Sequence, residues 1–249
     1  MLGSLIYLFQ EKLLFRASVL DQDYVYQFDH DFDELYLRPD AQTVINAIHF
    51  KSKDPKGVII YFHGNAGDLS RWGTITEYFV DKHYDVLVMD YRGYGKSTGP
   101  LTEQALYKDA QFCYDHIKSH YSEDKIIVYG RSLGTGIATN LASNNTPKQL
   151  ILESPFYNIL DVARHRFPIF PIRHLIRYKL PSNEFISQVS CPIAIVHGTH
   201  DNVVPFSSGL KLFNVAPPQL TSFTKIKFGN HNDLIQFDDY HQLINTLLN

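Results

Sequence analysis

The sequence predicts an α/β fold in which helices cover both faces of a mostly parallel central sheet. Short β-branched runs alternate with helix-length segments along the chain, and strands joined in this way form parallel sheets through right-handed crossovers. The runs are apolar throughout, as expected for strands that are buried on both faces. A chain of 249 residues fits one domain with a large core, so we expect a single domain over residues 1–249.

Continuous apolar runs predict the strands in order. The first is TVINAIHF at 43–50, and the others lie at 57–64, 84–93, 125–130, 149–154, 192–198 and 222–228. Helices are predicted at 68–83, 102–120, 133–143 and 233–248. The carboxyl ends of these strands should line one edge of the sheet, which is where open α/β sheets build their sites.

The N-terminal apolar segment, residues 1–20, stands outside this alternation. Its first part, MLGSLIYLF, is followed by Gln-Glu-Lys at 10–12, whereas a membrane-spanning helix needs about 20 apolar residues. The basic start and small-residue cleavage site of a secretory signal are not evident. We expect a helix that packs on the body. The alternative is peripheral membrane contact through residues 1–15, with Gln10, Glu11 and Lys12 on the polar side.

The second exception, residues 155–185, is too long for a plain crossover between two strands. Several prolines limit any helix there to short pieces, and basic side chains outnumber acidic ones. We predict a cap insertion over the sheet edge, which shapes a pocket and favours anionic substrates or surfaces; the alternative is a surface excursion with solvated basic residues. The prolines are Pro155, Pro168, Pro171 and Pro181, and the basic residues are Arg164, Arg166, Arg173, Arg177 and Lys179.

Composition excludes several classes of protein. The chain is 44% hydrophobic and 20% charged with a net charge of −3, which is typical of a globular protein and lacks the basic surplus of a nucleic-acid binder. Two cysteines, Cys113 and Cys191, are too few for a disulfide framework or a zinc site. We expect reduced thiols and a cytoplasmic protein, or one held peripherally at the inner face of the membrane. No metal or organic cofactor is implied, and the oligomeric state is left open.

Two stretches fit Gly-x-Ser-x-Gly, the spacing that places a nucleophilic serine on a strand-to-helix turn. Ser132 follows the strand KIIVYG after one residue and precedes a predicted helix with a small first turn. Ser97 lies well past its strand and directly precedes Thr98-Gly99-Pro100, so no helix begins there. Asp90 occupies the position where a phosphate-binding loop needs glycine. The sequence therefore favours Ser132 as the nucleophile.

A serine nucleophile needs a general base and an acid that orients the base. In α/β sheets of this type the chain order is serine, acid, histidine. Asp201 lies just past the strand at 192–198, and His231 lies just past the strand at 222–228. Because all three positions follow strand ends, we predict the set Ser132, Asp201 and His231.

Other residues could also serve as the general base or as the orienting acid. The chain has 12 histidines, and His63, His197 and His200 also lie near predicted strand ends. Glu153 ends the run QLILE and is the alternative acid.

An oxyanion hole needs two backbone N–H donors. Leu133 would supply one, as the residue after the nucleophile. The loop HGNAG at 63–67 follows the strand GVIIYF and can supply the other. We predict the Asn65 amide, with Ala66 as the second choice; the alternative is an ordinary glycine turn.

These motifs together resemble the α/β-hydrolase superfamily, and within it the serine-aminopeptidase-like branch that includes the alpha/beta hydrolase domain-containing proteins. The resemblance covers residues 43–248. It is carried by HGNAGD at 63–68, DYRGYGKS at 90–97, YGRSLGTG at 129–136, ESPF at 153–156, HGTHDNVVP at 197–205 and GNHND at 229–233.

The resemblance implies a serine hydrolase with Ser132 as nucleophile, His231 as base and Asp201 as acid. It implies oxyanion donors at Asn65 and Leu133 and a structural role for DYRGYGKS. We therefore predict an esterase, lipid hydrolase or thioesterase that acts on small acyl esters or thioesters through an acyl-enzyme. The alternatives are a peptidase of the same fold and a non-catalytic binding module at the membrane surface.

Overall fold

The computed structural model describes residues 10–167, 173 and 175–249. Within them lies a sheet of eight strands and a separate two-stranded pair. The strands are β1 (Arg16–Ala17), β2 (Phe32–Asp40), β3 (Thr43–Phe50), β4 (Val58–Phe62), β5 (Ala66–Gly67), β6 (Asp85–Met89), β7 (Ile126–Arg131), β8 (Gln149–Glu153), β9 (Ile193–Gly198) and β10 (Thr221–Ile226). The helices are α1 (Leu69–Val80), α2 (Glu103–Lys118), α3 (Leu133–Ser143), α4 (Ile159–Arg166), α5 (Ser182–Phe185), α6 (Phe206–Val215) and α7 (Asp238–Leu247).

The large sheet has the strand order β10-β9-β8-β7-β4-β6-β3-β2. Pairing is parallel from β10 to β6 and antiparallel at β3 and β2. Because the parallel strands point the same way, their carboxyl ends meet at one edge. The prediction of a mostly parallel α/β sheet is confirmed.

Two hydrophobic clusters cover the two faces of this sheet. On one face, side chains of α2, α3 and α6 pack on the sheet, with Tyr114, Ile137 and Leu212 fully buried. On the other face, α1 and α7 pack through Phe79 and Ile244. Strands buried on both sides are continuous in apolar sequence for this reason, so helices on both faces are as predicted.

Several elements differ from the sequence-based assignment. The strands β1, β2 and β5 and the helix α6 were not predicted, and the predicted helix at 233–248 is split into a 3-10 turn at Leu234–Gln236 and α7. β2 was missed because it is a half-exposed edge strand that contains charges and Pro39, and its pairing register with β3 shifts between Leu37 and Asp40. Edge strands tolerate such residues, whereas central strands do not.

The N-terminal segment is described from Gln10 onward, so the apolar run at 1–9 lies outside the described residues. Residues 10–14 are helical and Phe15 is buried, after which β1 pairs with β5 in parallel. Gln10, placed by sequence on a polar side, is buried because its side chain hydrogen-bonds the backbone at 175 and 177. None of the helices in the described part of the chain is long and apolar enough to cross a membrane.

The segment predicted as a cap is described only in part, because 168–172 and 174 lie outside the described residues. Its described portions contain α4 and α5, both short. Asn158 begins α4 by accepting a hydrogen bond from the Asp161 N–H through its side chain, which is a stabilising N-cap. The cap boundaries at 155–185 remain a prediction. Both cysteines, Cys113 and Cys191, are buried and unpaired.

Candidate active site

Ser132 lies on a strained turn between β7 and α3. Its φ is 51° and its ψ is −115°, a conformation that costs free energy in a residue with a side chain. The turn is held by the Ser132 N–H, which donates to the Glu153 carbonyl at 2.9 Å. The flanking positions have no room for a side chain. A Cβ on Gly130 would lie 2.7 Å from Ala138 Cβ, and one on Gly134 would lie 2.0 Å from the Phe62 carbonyl oxygen.

We expect Gly134→Ala to lower the free energy of unfolding by about 3 kcal/mol or more, because the new methyl would overlap backbone and force α3 off the sheet. Gly136→Ala is the matched control in the same helix: a Cβ there would lie 3.1 Å from Leu180 Cβ and 3.1 Å from the far end of the Phe156 ring, a much smaller overlap. We expect that control to stay within about 1 kcal/mol of wild type. Urea unfolding measures both, and equal midpoints for the two variants would contradict the packing argument.

His231 bridges the serine and a carboxylate. Its Nε2 lies 2.9 Å from Ser132 Oγ, and its Nδ1 lies 2.7 Å from Asp201 Oδ2. The three residues are each less than 10% exposed, and each follows the end of a parallel strand. The structure therefore brings together the three side chains that the sequence singled out.

Asp201 is fixed by a turn built at the end of β9. Its Oδ1 accepts the N–H groups of Val203 and Val204 at 2.9 and 2.8 Å. Burial alone would raise the pKa of this carboxyl, but hydrogen bonds from His197 and His231 outweigh it and hold the pKa well below its usual range. The side chain is therefore an anion at neutral pH and can hold an imidazole in one orientation.

His197, one of the rival bases, takes a different place. Its Nε2 lies 3.3 Å from Asp201 Oδ2 and 3.0 Å from the Val204 carbonyl oxygen, so His197 and His231 contact the same carboxylate oxygen. Gly209 leaves room for the ring, since a Cβ there would lie 2.3 Å from His197 Nδ1. Sequence reasoning missed this contact; the only signal was the four-residue spacing in HGTHD.

The other two histidines have separate surroundings. His200 is exposed, and its ring lies against Phe228. His63 is fully buried, with Nδ1 2.6 Å from the Gly64 carbonyl oxygen and Nε2 3.3 Å from Asp90 Oδ1. Each ring is therefore placed by groups other than Ser132.

Glu153, the alternative acid, pairs elsewhere. Its Oε1 lies 3.1 Å from Arg131 Nε, and its Oε2 accepts the hydroxyls of Tyr129 at 2.5 Å and Tyr240 at 3.2 Å. Burial alone would lower the pKa of Arg131, but the attraction of Glu153 raises it above its ordinary value. The acid that contacts His231 is Asp201.

The loop at 63–67 approaches the nucleophile closely. A Cβ built on Gly64 would lie 3.8 Å from Ser132 Cβ. Within the described residues, neither the Asn65 amide nor the Leu133 amide has a hydrogen-bond acceptor. On the same loop, the Ala66 carbonyl accepts the Trp72 indole N–H at 2.8 Å. This geometry suits two amides that are kept for a ligand atom.

Ser97 belongs to the scaffold. Its hydroxyl donates to the Asp90 carbonyl at 2.9 Å and accepts the Asn46 N–H at 2.8 Å. The first contact closes the DYRGYGKS loop on itself, and the second ties it to β3. No group of three or more His, Cys, Asp or Glu in the described ranges is arranged to hold a metal ion.

A parallel α/β sheet with a serine on such an elbow, next to histidine and aspartate from later strand ends, defines the class of α/β hydrolases. Residues 53–178 match the family model described as serine aminopeptidase, S33. The chain belongs to this family, and so to the serine hydrolases.

Curated relatives extend the comparison. The lysophosphatidylserine lipase ABHD12 of Rattus norvegicus is 35% identical over 208 residues, which cover 74% of this chain and 49% of the relative. An uncharacterised protein of Acanthamoeba polyphaga mimivirus is 32% identical over 240 residues, covering 86% of this chain and 80% of that protein. The chain thus spans about half the length of the ABHD12 proteins that it matches.

Among solved structures, an esterase of Pyrococcus furiosus superposes with a TM-score of 0.73 over 94% of this chain and 98% of its own, at 16% identity. At that identity the likeness shows a shared fold.

Proposed function

We propose that the chain hydrolyses carboxylic esters or thioesters of acyl substrates through an acyl-enzyme. The observation that carries this proposal is the pair of hydrogen bonds from the His231 ring, 2.9 Å to Ser132 Oγ and 2.7 Å to Asp201 Oδ2. These distances are those of a general base that is already in contact with its nucleophile and its orienting acid.

In the first half-reaction, His231 Nε2 takes the hydroxyl proton as Ser132 Oγ attacks the acyl carbonyl. Asp201 stabilises the resulting imidazolium and keeps Nδ1 protonated. The amides of Asn65 and Leu133 receive the oxyanion, and the proton on Nε2 then passes to the departing alkoxide or thiolate. Water, deprotonated by the same nitrogen, attacks the acyl-enzyme and releases the carboxylic acid and the free serine.

We further propose lipid esters with an anionic headgroup as the substrate class. Curated relatives are named lysophosphatidylserine lipases, and the region predicted as a cap is basic. It contains a cavity of about 340 Å³ lined by apolar Leu160 and Ile176, by the cations of Arg173 and Lys179, and by one carboxylate, that of Glu184. An apolar wall next to exposed cations suits an acyl chain that carries a phosphate.

The test is a substrate panel. We expect hydrolysis of short p-nitrophenyl esters, and faster release of fatty acid from lysophosphatidylserine than from lysophosphatidylcholine of the same chain length. Equal rates on the two lipids would remove the headgroup proposal. An acyl thioester and an amino-acid p-nitroanilide, assayed beside the esters, decide between ester, thioester and amide chemistry; a preference for the anilide would favour a peptidase.

Labelling with a fluorophosphonate separates an enzyme from a binding module. We expect one label per chain, on Ser132. A protein that neither labels nor cleaves any substrate of the panel would instead be a non-catalytic module.

Peripheral membrane contact through residues 1–15 is also proposed. In the described part of this segment, Leu13 is 59% exposed, as an interfacial anchor requires. Co-sedimentation of the full chain with vesicles, compared with a variant that carries Leu13→Glu, tests this contact; equal binding would argue against it.

A further inference from the structure

Residues 10–20, which we name the N-terminal strap, run along the back of the loop at 63–67. The Arg16 N–H donates to the Asn65 carbonyl at 2.8 Å, and the Ser18 N–H donates to the Gly67 carbonyl at 3.1 Å. Further along, the strap is tied to the scaffold, since the Leu20 N–H donates to the Gly95 carbonyl at 3.0 Å. The strap is therefore hydrogen-bonded to the loop that is proposed to stabilise the oxyanion.

The other end of the strap contacts the region predicted as a cap. The Gln10 side chain donates to the Leu175 carbonyl at 3.0 Å and accepts the Arg177 N–H at 2.7 Å. The Tyr178 hydroxyl donates to Glu11 at 2.9 Å, and its ring packs edge-on against Phe15, with the ring centres 4.8 Å apart. The strap is thus fixed at both ends, and the middle of the strap, at Arg16 and Ser18, holds the oxyanion loop.

Every carbonyl of the loop has a donor. Besides the two held by the strap, that of His63 accepts the Tyr91 hydroxyl, that of Gly64 contacts the His63 ring, and that of Ala66 accepts the Trp72 indole. In a trans peptide the C=O and the next N–H point in opposite directions. The hydrogen bond from the strap to the Asn65 carbonyl therefore points the N–H of the same peptide unit, that of Ala66, away from the strap.

The Asn65 carbonyl is the central case. It accepts two hydrogen bonds, from the Arg16 N–H and from the Tyr94 hydroxyl, both at 2.8 Å. Its peptide unit carries the Ala66 N–H and is joined through Cα to the unit that carries the Asn65 N–H. Both candidate oxyanion donors thus depend on how this one carbonyl is held.

We propose that the N-terminal strap is a positioning element for the reaction: the backbone N–H groups of Arg16 and Ser18 hold the oxyanion loop in its productive orientation. The inference rests on the proposed function, because it concerns the stabilisation of that oxyanion. A displacement of about 1 Å at such a donor lowers turnover by roughly 100-fold.

A proline scan of β1 tests the proposal. Proline removes the backbone N–H, so Arg16→Pro and Ser18→Pro each delete one donor to the loop. Ala17→Pro is the matched control: alternate residues of a strand bond to one neighbour, so with the Arg16 and Ser18 N–H groups on the loop, the N–H between them faces away from it. Arg16→Ala controls for the side chain.

We expect Arg16→Pro and Ser18→Pro to lower kcat on a p-nitrophenyl ester by 10- to 100-fold with KM within about twofold. Affinity for a trifluoromethyl ketone, whose serine adduct carries an oxyanion, should fall by the same factor. Both controls should stay within about twofold of wild type. If the strap were merely structural, all three proline variants would show a similarly lowered urea midpoint. The kcat and KM of Arg16→Pro and Ser18→Pro would then change no more than those of Ala17→Pro.

If Arg16→Pro does not fold, an amide-to-ester replacement made by ligation deletes the same N–H without fixing φ. Lactic acid at position 16, compared with Arg16→Ala, should reproduce the fall in kcat. Activity equal to the Ala17→Pro or Arg16→Ala control would overturn the inference. An inactive and unlabelled wild type would instead defeat the proposed function, so the two failures are distinguishable.

Discussion

Ser132→Ala is expected to lower kcat on short p-nitrophenyl esters by about 10⁶-fold, because the three residues act as a unit and loss of the nucleophile removes the acyl-enzyme route. The Ser132 hydroxyl is the atom within 2.9 Å of the base, and its replacement leaves the elbow glycines unchanged. Fluorophosphonate labelling should disappear together with turnover, while the urea midpoint should stay close to that of wild type.

The chain offers its own control for this experiment. Ser97 fits the same Gly-x-Ser-x-Gly pattern, but its hydroxyl is bonded to the Asp90 carbonyl and the Asn46 N–H. We expect Ser97→Ala to keep its turnover and its label and to lose about 1–2 kcal/mol of stability, since it leaves a buried N–H without its acceptor. Wild-type rates in Ser132→Ala, or loss of labelling in Ser97→Ala alone, would contradict the assignment of the nucleophile.

The sequence predicts the buried strands of this fold well, because strands such as β4 and β7 are covered on both faces and must be apolar at every position. β2 could not be found in the same way. Most of its residues alternate between half-buried and exposed, and its apolar residues Phe32, Leu35 and Leu37 pack on the core while only partly buried. Its stability comes from pairing with β3, which is a property of the sheet rather than of the segment itself.

The candidate site was predictable to a similar degree. Ser132 carries a local signature, since contacts with the helix and the neighbouring strand leave room only for glycine at the two flanking positions. Asp201 and His231 have no such signature and were found from their positions after strand ends. The contact of His197 with the carboxylate depends on the turn after β9, and the contact of Arg16 with Asn65 joins residues far apart in sequence, so neither could be inferred from spacing.

Asp201→Asn is expected to lower kcat by about 10⁴-fold. The amide would still fill the site, but it cannot stabilise the imidazolium, and its NH₂ group would favour the tautomer of His231 in which Nδ1 accepts and Nε2 cannot take the serine proton. Steady-state rates on the same esters measure this loss. Glu153→Gln is the matched control, because its carboxylate pairs with Arg131; it should keep turnover within about tenfold.

The pH dependence of stability gives an independent test of the same carboxylate. The pKa of Asp201 is lower in the folded chain than the roughly 3.9 of an unfolded aspartate. Ionised Asp201 therefore stabilises the fold above about pH 4, and this contribution is lost as the pH falls through the folded value. The stability difference between wild type and Asp201→Asn, from urea unfolding, should shrink as the pH falls below about 4. A difference that does not shrink below pH 4 would contradict the lowered pKa of Asp201. Near-normal turnover of Asp201→Asn, together with loss of turnover in Glu153→Gln, would transfer the acid role to Glu153.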